Sequence, residues 1–357
     1  MGKNLFVKEI VSAFNFEGKF VSDSLHDVGN INDTFVFEFE KNNNERKKYI
    51  VQRINHHVFT RPVNLMENIE KVTSHIINKV KANGGNPLRE TLNLVRTNEG
   101  GSYYVDSNDD YWRAFLFIEG ATTFNKAEKP VHMYEVGKTL GKFQNLLLDF
   151  KAEELFEIIE DFHNTPKRYK DFVKAMESDP LGRVKNSLDE IKFIMDRADS
   201  FDKLINLLEK GRIPLRVTHN DTKINNIMID DVTGQAVCLI DLDTVMPGLS
   251  LYDFGDAIRS GCSTAEEEET DLTKVNFNMK FYNAFTKGLL EECKDTLNKD
   301  EIENIGFSAK LITLELAMRF LTDYLNGDVY FKTARKHHNL DRCRNQLKLV
   351  SEMEKLI

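Results

Sequence analysis

His219, Asp221 and Asn226 stand in the order H-x-D-x-x-x-x-N within HNDTKINN, and Asp241 closes the apolar run AVCLID fifteen residues after Asn226. An aspartate on a short loop is a base for a hydroxyl proton. An asparagine and a second aspartate offer oxygen ligands to a hard cation such as Mg²⁺. Together these are the parts that phosphoryl transfer from a nucleotide requires, in the order kinases use them. The spacing has a geometric cause. The loop presents Asp221, the strand IMI leads away, a turn over 231–234 reverses the chain, and AVCLI returns antiparallel, so Asp241 comes back beside Asn226. The competing reading is a plain hairpin bounded by turn-forming Asp and Asn. The complete spacing, ending in an aspartate, favours the kinase reading.

Several other functions are excluded by composition. At 357 residues the chain exceeds the size of a single hydrophobic core, which implies two lobes. Its 41% hydrophobic and 29% charged content is that of a soluble globular protein. A formal charge of −9 opposes nonspecific nucleic-acid binding, which needs clustered Lys and Arg. An anionic nucleotide must therefore be held by local groups and a cation. Cys238, Cys262, Cys293 and Cys343 form no C-x-x-C pair, which suits a reducing compartment and offers no structural zinc site. The first twenty residues lack a signal-peptide core and no run reaches transmembrane length, so a cytoplasmic protein without membrane partners is expected.

The positioning elements follow from periodicity. Residues 6–14 form an amphipathic helix. In VGNINDTFVFEFE, Phe35, Phe37 and Phe39 alternate with Val36, Glu38 and Glu40, the pattern of a half-buried strand. YIVQRI is its partner across KNNNERKK. A helix begins at a capping Asn64, carries Leu65, Ile69, Val72, Ile76 and Val80 on one face, and ends at GGNP. LVRT, YYV and YWRAFLFI are three further strands. Beyond Val131 the pattern turns helical, with MYEVGKTLGKFQNLLLDF, two helices between Lys167 and Lys210, and three more over 272–293, 302–325 and 340–356. His56-His57 and His337-His338 invite a metal reading, but adjacent side chains diverge and neither pair chelates one ion by itself.

HNDTKINN and IDLDTVMPGLSLYDFGDAIR resemble the aminoglycoside-phosphotransferase-like kinases, and within them the N-acetylhexosamine 1-kinases. The resemblance continues through GNINDTF, YIVQRIN, NLMENIE, WRAFLFIEG and ELAMRFLTDYLNGDVYF, nearly the whole chain. It implies Asp221 as catalytic base, Asn226 and Asp241 as Mg²⁺ ligands, and His219 and Asp253 as supports of the catalytic loop. Asp243 is either a neighbour of the metal or a surface carboxylate. The GNINDTF loop covers the phosphates, with Gly29, Asn32 and Thr34 as nucleotide contacts. Gln52 takes the place of the strand lysine that pairs with phosphates, and Arg53 points to the other face, so the phosphate cation is unassigned. Glu70 is the inward-facing acid of the following helix, Glu67 completing the cap. Phe117, Ile118 and Glu119 form the hinge that reads adenine through backbone groups. Arg319 and Tyr330 contact the sugar, with Asn30 and Asn32 adding bonds from the loop tip. The competing reading of Arg319 pairs it with Glu315 one turn earlier.

The resulting expectation is an α+β, bilobal, protein-kinase-like fold. Residues 1–120 are a small antiparallel lobe with one helix that binds nucleotide; residues 121–357 are a large mainly helical lobe with the catalytic loop, metal site and sugar site. The implied reaction uses ATP and Mg²⁺ to phosphorylate the C1 hydroxyl of N-acetylglucosamine or N-acetylgalactosamine. The alternatives are the same chemistry on an amino alcohol or aminoglycoside, and a nucleotide-binding pseudokinase.

Overall fold

The structure, a computed structural model, describes residues 3–26 and 31–357; Gly29 and Asn30 lie outside them. Its internal contacts divide the chain into two compact units. The first comprises Met1–Thr123, Asp149–Ile159 and Met228–Met246; the second comprises Phe124–Leu148, Glu160–Ile227 and Pro247–Ile357.

The first unit opens with helix α1 (Lys3–Ala13) and strands β1 (Lys19–Leu25), β2 (Asp33–Glu40) and β3 (Arg46–Ile54). Next come α2 (Pro62–Ala82), the single turn α3 (Pro87–Glu90), β4 (Tyr104–Val105), β5 (Tyr111–Leu116) and the short β6 (Ala121–Thr122). Five strands make one sheet in the order β1-β2-β3-β5-β4, every neighbouring pair antiparallel. Period-two alternation decides its faces. Phe35, Phe37, Phe39, Tyr49, Val51 and Ala114 are buried in one core cluster with Val7, Ile10 and Phe14 of the N-terminal stretch. The opposite face carries Thr34, Gln52 and Arg113, paired in register across β2, β3 and β5.

Two expectations are corrected here. Helix α2 starts at Pro62 and not at Asn64, and Arg61 precedes it without a side-chain cap. Proline suits this first position because its fixed φ is helical and its missing N–H would be unbonded anyway. LVRT forms no ladder strand; Leu94 and Thr97 make only isolated bridges to Phe115 and Phe14. The expected antiparallel sheet, long helix and mainly helical remainder are all present.

The second unit contains α4 (Pro130–Leu146), α5 (Thr165–Ser178), α6 (Leu188–Met195), α7 (Lys203–Glu209) and β7 (Arg216–Thr218). The hairpin of β8 (Ile227–Asp230) and β9 (Ala236–Leu239) then lies largely in the first unit, with β8 between β6 and β9. Strand β10 (Met246–Gly248) leads to α8 (Ser250–Gly261), α9 (Met279–Cys293), α10 (Lys299–Glu303), α11 (Ile305–Asn326) and α12 (His338–Leu356). Helix α11 is the hub, packed on α5, α8 and α12. Among the described residues no helix is long and apolar enough to cross a membrane.

Helices α4 and α9 approach closely enough that only glycine fits between them. A methyl group on Gly137 would overlap the Phe285 carbonyl oxygen, and one on Gly288 would overlap that of Tyr134. Backbone cannot yield as a flexible side chain does. Gly137→Ala should therefore destabilise the protein by roughly 1–3 kcal/mol despite alanine's better helix propensity. Urea unfolding of the variant measures this, and an unchanged midpoint would contradict the packing.

Candidate active site

In the second unit, β7 delivers the catalytic loop. Its Arg216 is forked onto the buried Glu301 (Nε–Oε1 2.7 Å), which also accepts from the Ser250 hydroxyl at the start of α8 (2.8 Å). Gln144 of α4 donates to the Val217 carbonyl at 3.0 Å. The loop then turns through Asn220 at φ 65°, a left-handed conformation that asparagine tolerates.

Asp253, in the first turn of α8 and wholly buried, fixes that turn. Its two oxygens accept the N–H groups of His219 (2.9 Å) and Asn220 (2.7 Å). Its carbonyl accepts the Thr222 hydroxyl (2.6 Å), while Asp256 accepts the Thr222 N–H (2.9 Å). Burial opposes ionisation of Asp256, but the Arg259 guanidinium outweighs it and lowers the pKa. Asp221 projects from this braced loop. Asn226 donates from Nδ2 to its carbonyl (2.8 Å) and to Oδ2 (3.0 Å), and the Lys223 ammonium lies 3.1 Å from Oδ1. Burial alone would lower the Lys223 pKa; the carboxylates of Asp221 and Asp256 reverse that and raise it.

Within the first unit, Asp241 follows β9 at φ 62° and opens a tight turn over Leu242–Thr244. Asp243 in that turn is buried and meets two groups of the sheet. Arg113 Nη1 lies 2.5 Å from its Oδ1, and Asn32 Nδ2 donates to its Oδ2 at 2.6 Å. Arg113 Nε donates to Gln52 Oε1 (2.9 Å), and Gln52 Nε2 donates to the Thr34 hydroxyl (3.0 Å). Asn32, Thr34 and Gln52 are thus brought together with Asp243, which is no surface carboxylate. The turn is held from behind by Asn68 of α2, which donates to the carbonyls of Val245 (2.9 Å) and Phe156 (2.8 Å).

Elsewhere in this unit, Glu70 is turned to Arg96 (2.6 Å) and Glu67 to Lys71 (2.8 Å), so the buried polar residues of α2 are Asn68 and Thr73. Arg53 lies on the opposite sheet face from Gln52, bound to Asp33 and Asp110. The segment of Phe117, Ile118 and Glu119 is fixed at several points. The Phe117 N–H bonds to Lys48 (3.2 Å), Ile118 joins a small core with Ala121 and Cys238, and Arg89 takes the Glu119 carbonyl (2.5 Å).

Arg319, on α11 in the second unit, has no carboxylate within ion-pair distance among the described residues. Its guanidinium faces the rings of Phe162 (5.3 Å), Phe331 (5.6 Å) and Tyr330 (6.0 Å). Glu315, the partner offered by the competing reading, is instead bound to His163 (2.8 Å) and the Thr165 hydroxyl (2.5 Å). Burial lowers the pKa of nearby Arg168, and the charge of Arg319 lowers it further. Tyr330 stands on a loop organised by Asp323, whose oxygens accept the N–H groups of Val329, Tyr330 and Phe331 at 2.8–2.9 Å.

Among the described residues no three His, Cys, Asp or Glu side chains cluster to hold a metal. The chemistry of the donors still suits Mg²⁺, which takes one or two protein oxygens and completes its shell with water and phosphate. In the second unit Asn226 turns its amide nitrogen to Asp221, which directs its oxygen away from that carboxylate. Sequence reasoning missed Lys223, Arg113, Arg168 and Asn68. Only Lys223 had a local signal, two positions after Asp221 in the same loop.

Burial pushes the Asp253 carboxyl from 3.8 up to about 6, against the lowering effect of His219 and the two N–H donors. The folded chain therefore keeps a proton that the unfolded chain releases. That stabilisation is full below about pH 4 and is lost as pH rises through about 6. Between pH 5 and 7 the wild type should lose about 1 kcal/mol more stability than Asp253→Asn. Urea unfolding of both proteins at the two pH values tests this; parallel pH dependence would contradict it.

Comparison with known proteins places this geometry in a family. The model of the phosphotransferase enzyme family matches residues 26–276. A microcompartment-associated aminopropanol kinase is similar in structure at 14% identity, with 99% of this chain and 97% of that chain covered and a TM-score of 0.63. An aminoglycoside phosphotransferase from Alicyclobacillus acidocaldarius is similar at 14% identity, with 98% and 95% covered and a TM-score of 0.61. An amicoumacin kinase, solved in complex with AMP-PNP, Ca²⁺ and Ami, is similar at 13% identity, with 98% and 93% covered and a TM-score of 0.58. The fold is that of these kinases, and the chain belongs to the phosphotransferase enzyme family.

Proposed function

We propose that this chain transfers the γ-phosphoryl group of ATP to the C1 hydroxyl of an N-acetylhexosamine, with Asp221 as base. The observation that carries the acceptor class is Arg319, a guanidinium ringed by Phe162, Tyr330 and Phe331 and, among the described residues, with no carboxylate within ion-pair distance. With Arg168 nearby, this surface is cationic and aromatic. Sugar rings lay apolar C–H faces on aromatic side chains, and their hydroxyl and amide oxygens accept from guanidinium. Amino alcohols and aminoglycosides are cations, which such a surface repels. The aminopropanol kinase and aminoglycoside phosphotransferase among the structural neighbours make that acceptor class the second reading.

The chemistry divides among the residues described. Asp221 accepts the C1 hydroxyl proton while that oxygen forms its bond to phosphorus, and the bond to the ADP oxygen breaks. Asn226 on Oδ2 and Lys223 on Oδ1 hold the carboxylate in its proton-accepting orientation. Asp253 keeps the loop in place throughout. Asn226 and Asp241 would each supply an oxygen ligand to Mg²⁺, whose charge would offset that of the phosphates. Thr34, Asn32 and Gln52 serve the nucleotide side, and the 117–119 segment would read adenine by its backbone.

Two experiments test this reading. Asp221→Asn should lower turnover by roughly 10²–10⁴-fold with nucleotide affinity nearly intact. Turnover near wild type in pure variant would remove Asp221 from the base role. In an ATP-consumption screen, free N-acetylhexosamines should be consumed while their methyl glycosides, amino alcohols and aminoglycosides are not. Arg319→Met should raise the sugar KM by roughly ten- to a hundredfold, with a smaller effect on ATP. Turnover of an amino alcohol or aminoglycoside in place of the sugars would favour the second reading.

A further inference from the structure

We propose that Arg113 is the cation for the nucleotide phosphates, aimed by Gln52 and held on Asp243 until a phosphate takes that carboxylate's place. The proposal rests on the kinase reading of the same site. Thr34, Gln52 and Arg113 are direct partners in the register of β2, β3 and β5, so their side chains form one row on one sheet face. Gln52 carries no charge, but both ends of its amide are used, one on Thr34 and one on Arg113. Its role is to point the guanidinium.

The Arg113 side chain is only 1% exposed, with the Asp243 carboxylate as its counter-charge and the Gln52 amide oxygen as the acceptor of its Nε. Nη1 and Asp243 Oδ1 lie 2.5 Å apart yet are not aligned for hydrogen bonding, so both atoms are buried without a hydrogen bond. A buried guanidinium short of acceptors is costly, and phosphate oxygens match its fork. The Asp243 carboxylate also stands between a cation and an amide donor, Arg113 on one oxygen and Asn32 on the other. That is the surrounding of a bound anion. The other basic residues on this face of β3, Arg46 and Lys48, lie nearer its start, against Glu38 and Glu40 and against Glu119. Arg53 is on the opposite face with two aspartates.

The competing account is a structural ion pair that pins the 242–244 turn to the sheet. Calorimetry with ADP and adenosine as probes, in EDTA so that no metal contributes, separates the two. Wild type and Asp243→Asn should prefer ADP to adenosine. Arg113→Met should lose that preference by roughly ten- to a hundredfold while keeping adenosine affinity. The double variant Arg113→Met/Asp243→Leu leaves no lone buried charge, so it remains informative even if the single variant does not fold. An unchanged ADP preference in the folded double variant overturns the assignment and leaves the kinase reading standing. Wild-type protein that neither prefers ADP nor consumes ATP overturns both.

Discussion

The catalytic loop depends on one buried carboxylate. Burying Asp253 costs several kcal/mol unless its charge is met. It is met only in part, by two consecutive backbone N–H groups of the loop and by the N-terminal turn of α8, where negative charge is favoured, so burial still holds the carboxyl up at about 6. The same contacts force the chain through the left-handed turn at Asn220, and Asp221 takes its direction from that turn. Remove the carboxylate, and two donors are orphaned while the loop that carries Asp221 loses its footing. The device recurs. Asp256 takes the next free N–H of the loop, and Asp323 gathers three N–H groups beneath Tyr330. Loops that carry function are thus ordered by buried acids rather than by apolar packing alone.

A net charge of −9 also explains where the cations stand. The overall field repels a nucleotide, so positive charge must be local, buried and aimed. Lys223 is paired with Asp221, and Arg113 with Gln52 and Asp243. In the second unit Arg319 stands among aromatic rings, and Arg168 donates to the Phe162 carbonyl. Each guanidinium is directed by a neighbour whose identity looks unremarkable in sequence: a glutamine, a phenylalanine, a backbone carbonyl.

The sequence made the hairpin after Asn226 and the core strands readable, because spacing and strict alternation are local signals. Phe35, Phe37 and Phe39 fix their strand unambiguously. Strand β1 was not legible because its side chains are almost all exposed, so KFVSDSL shows no alternation. Helix α2 begins two residues early because Pro62 is a better start than the Asn64 cap. Arg113 was hidden for another reason. Its significance lies in its cross-strand neighbour Gln52, 61 residues away, and in the Asp243 turn, and no local pattern records such a meeting. Asn68 was obscured by the glutamates flanking it, which are turned to lysine and arginine partners.

The central claim is that a loop held by Asp253 directs Asp221 at an anomeric hydroxyl. It is tested most directly by NMR of the product formed from N-acetylglucosamine and ATP. The account predicts a phosphorus signal coupled to the C1 proton and no phosphate at C6 or any other carbon. A product phosphorylated at C6 with C1 still free would contradict it.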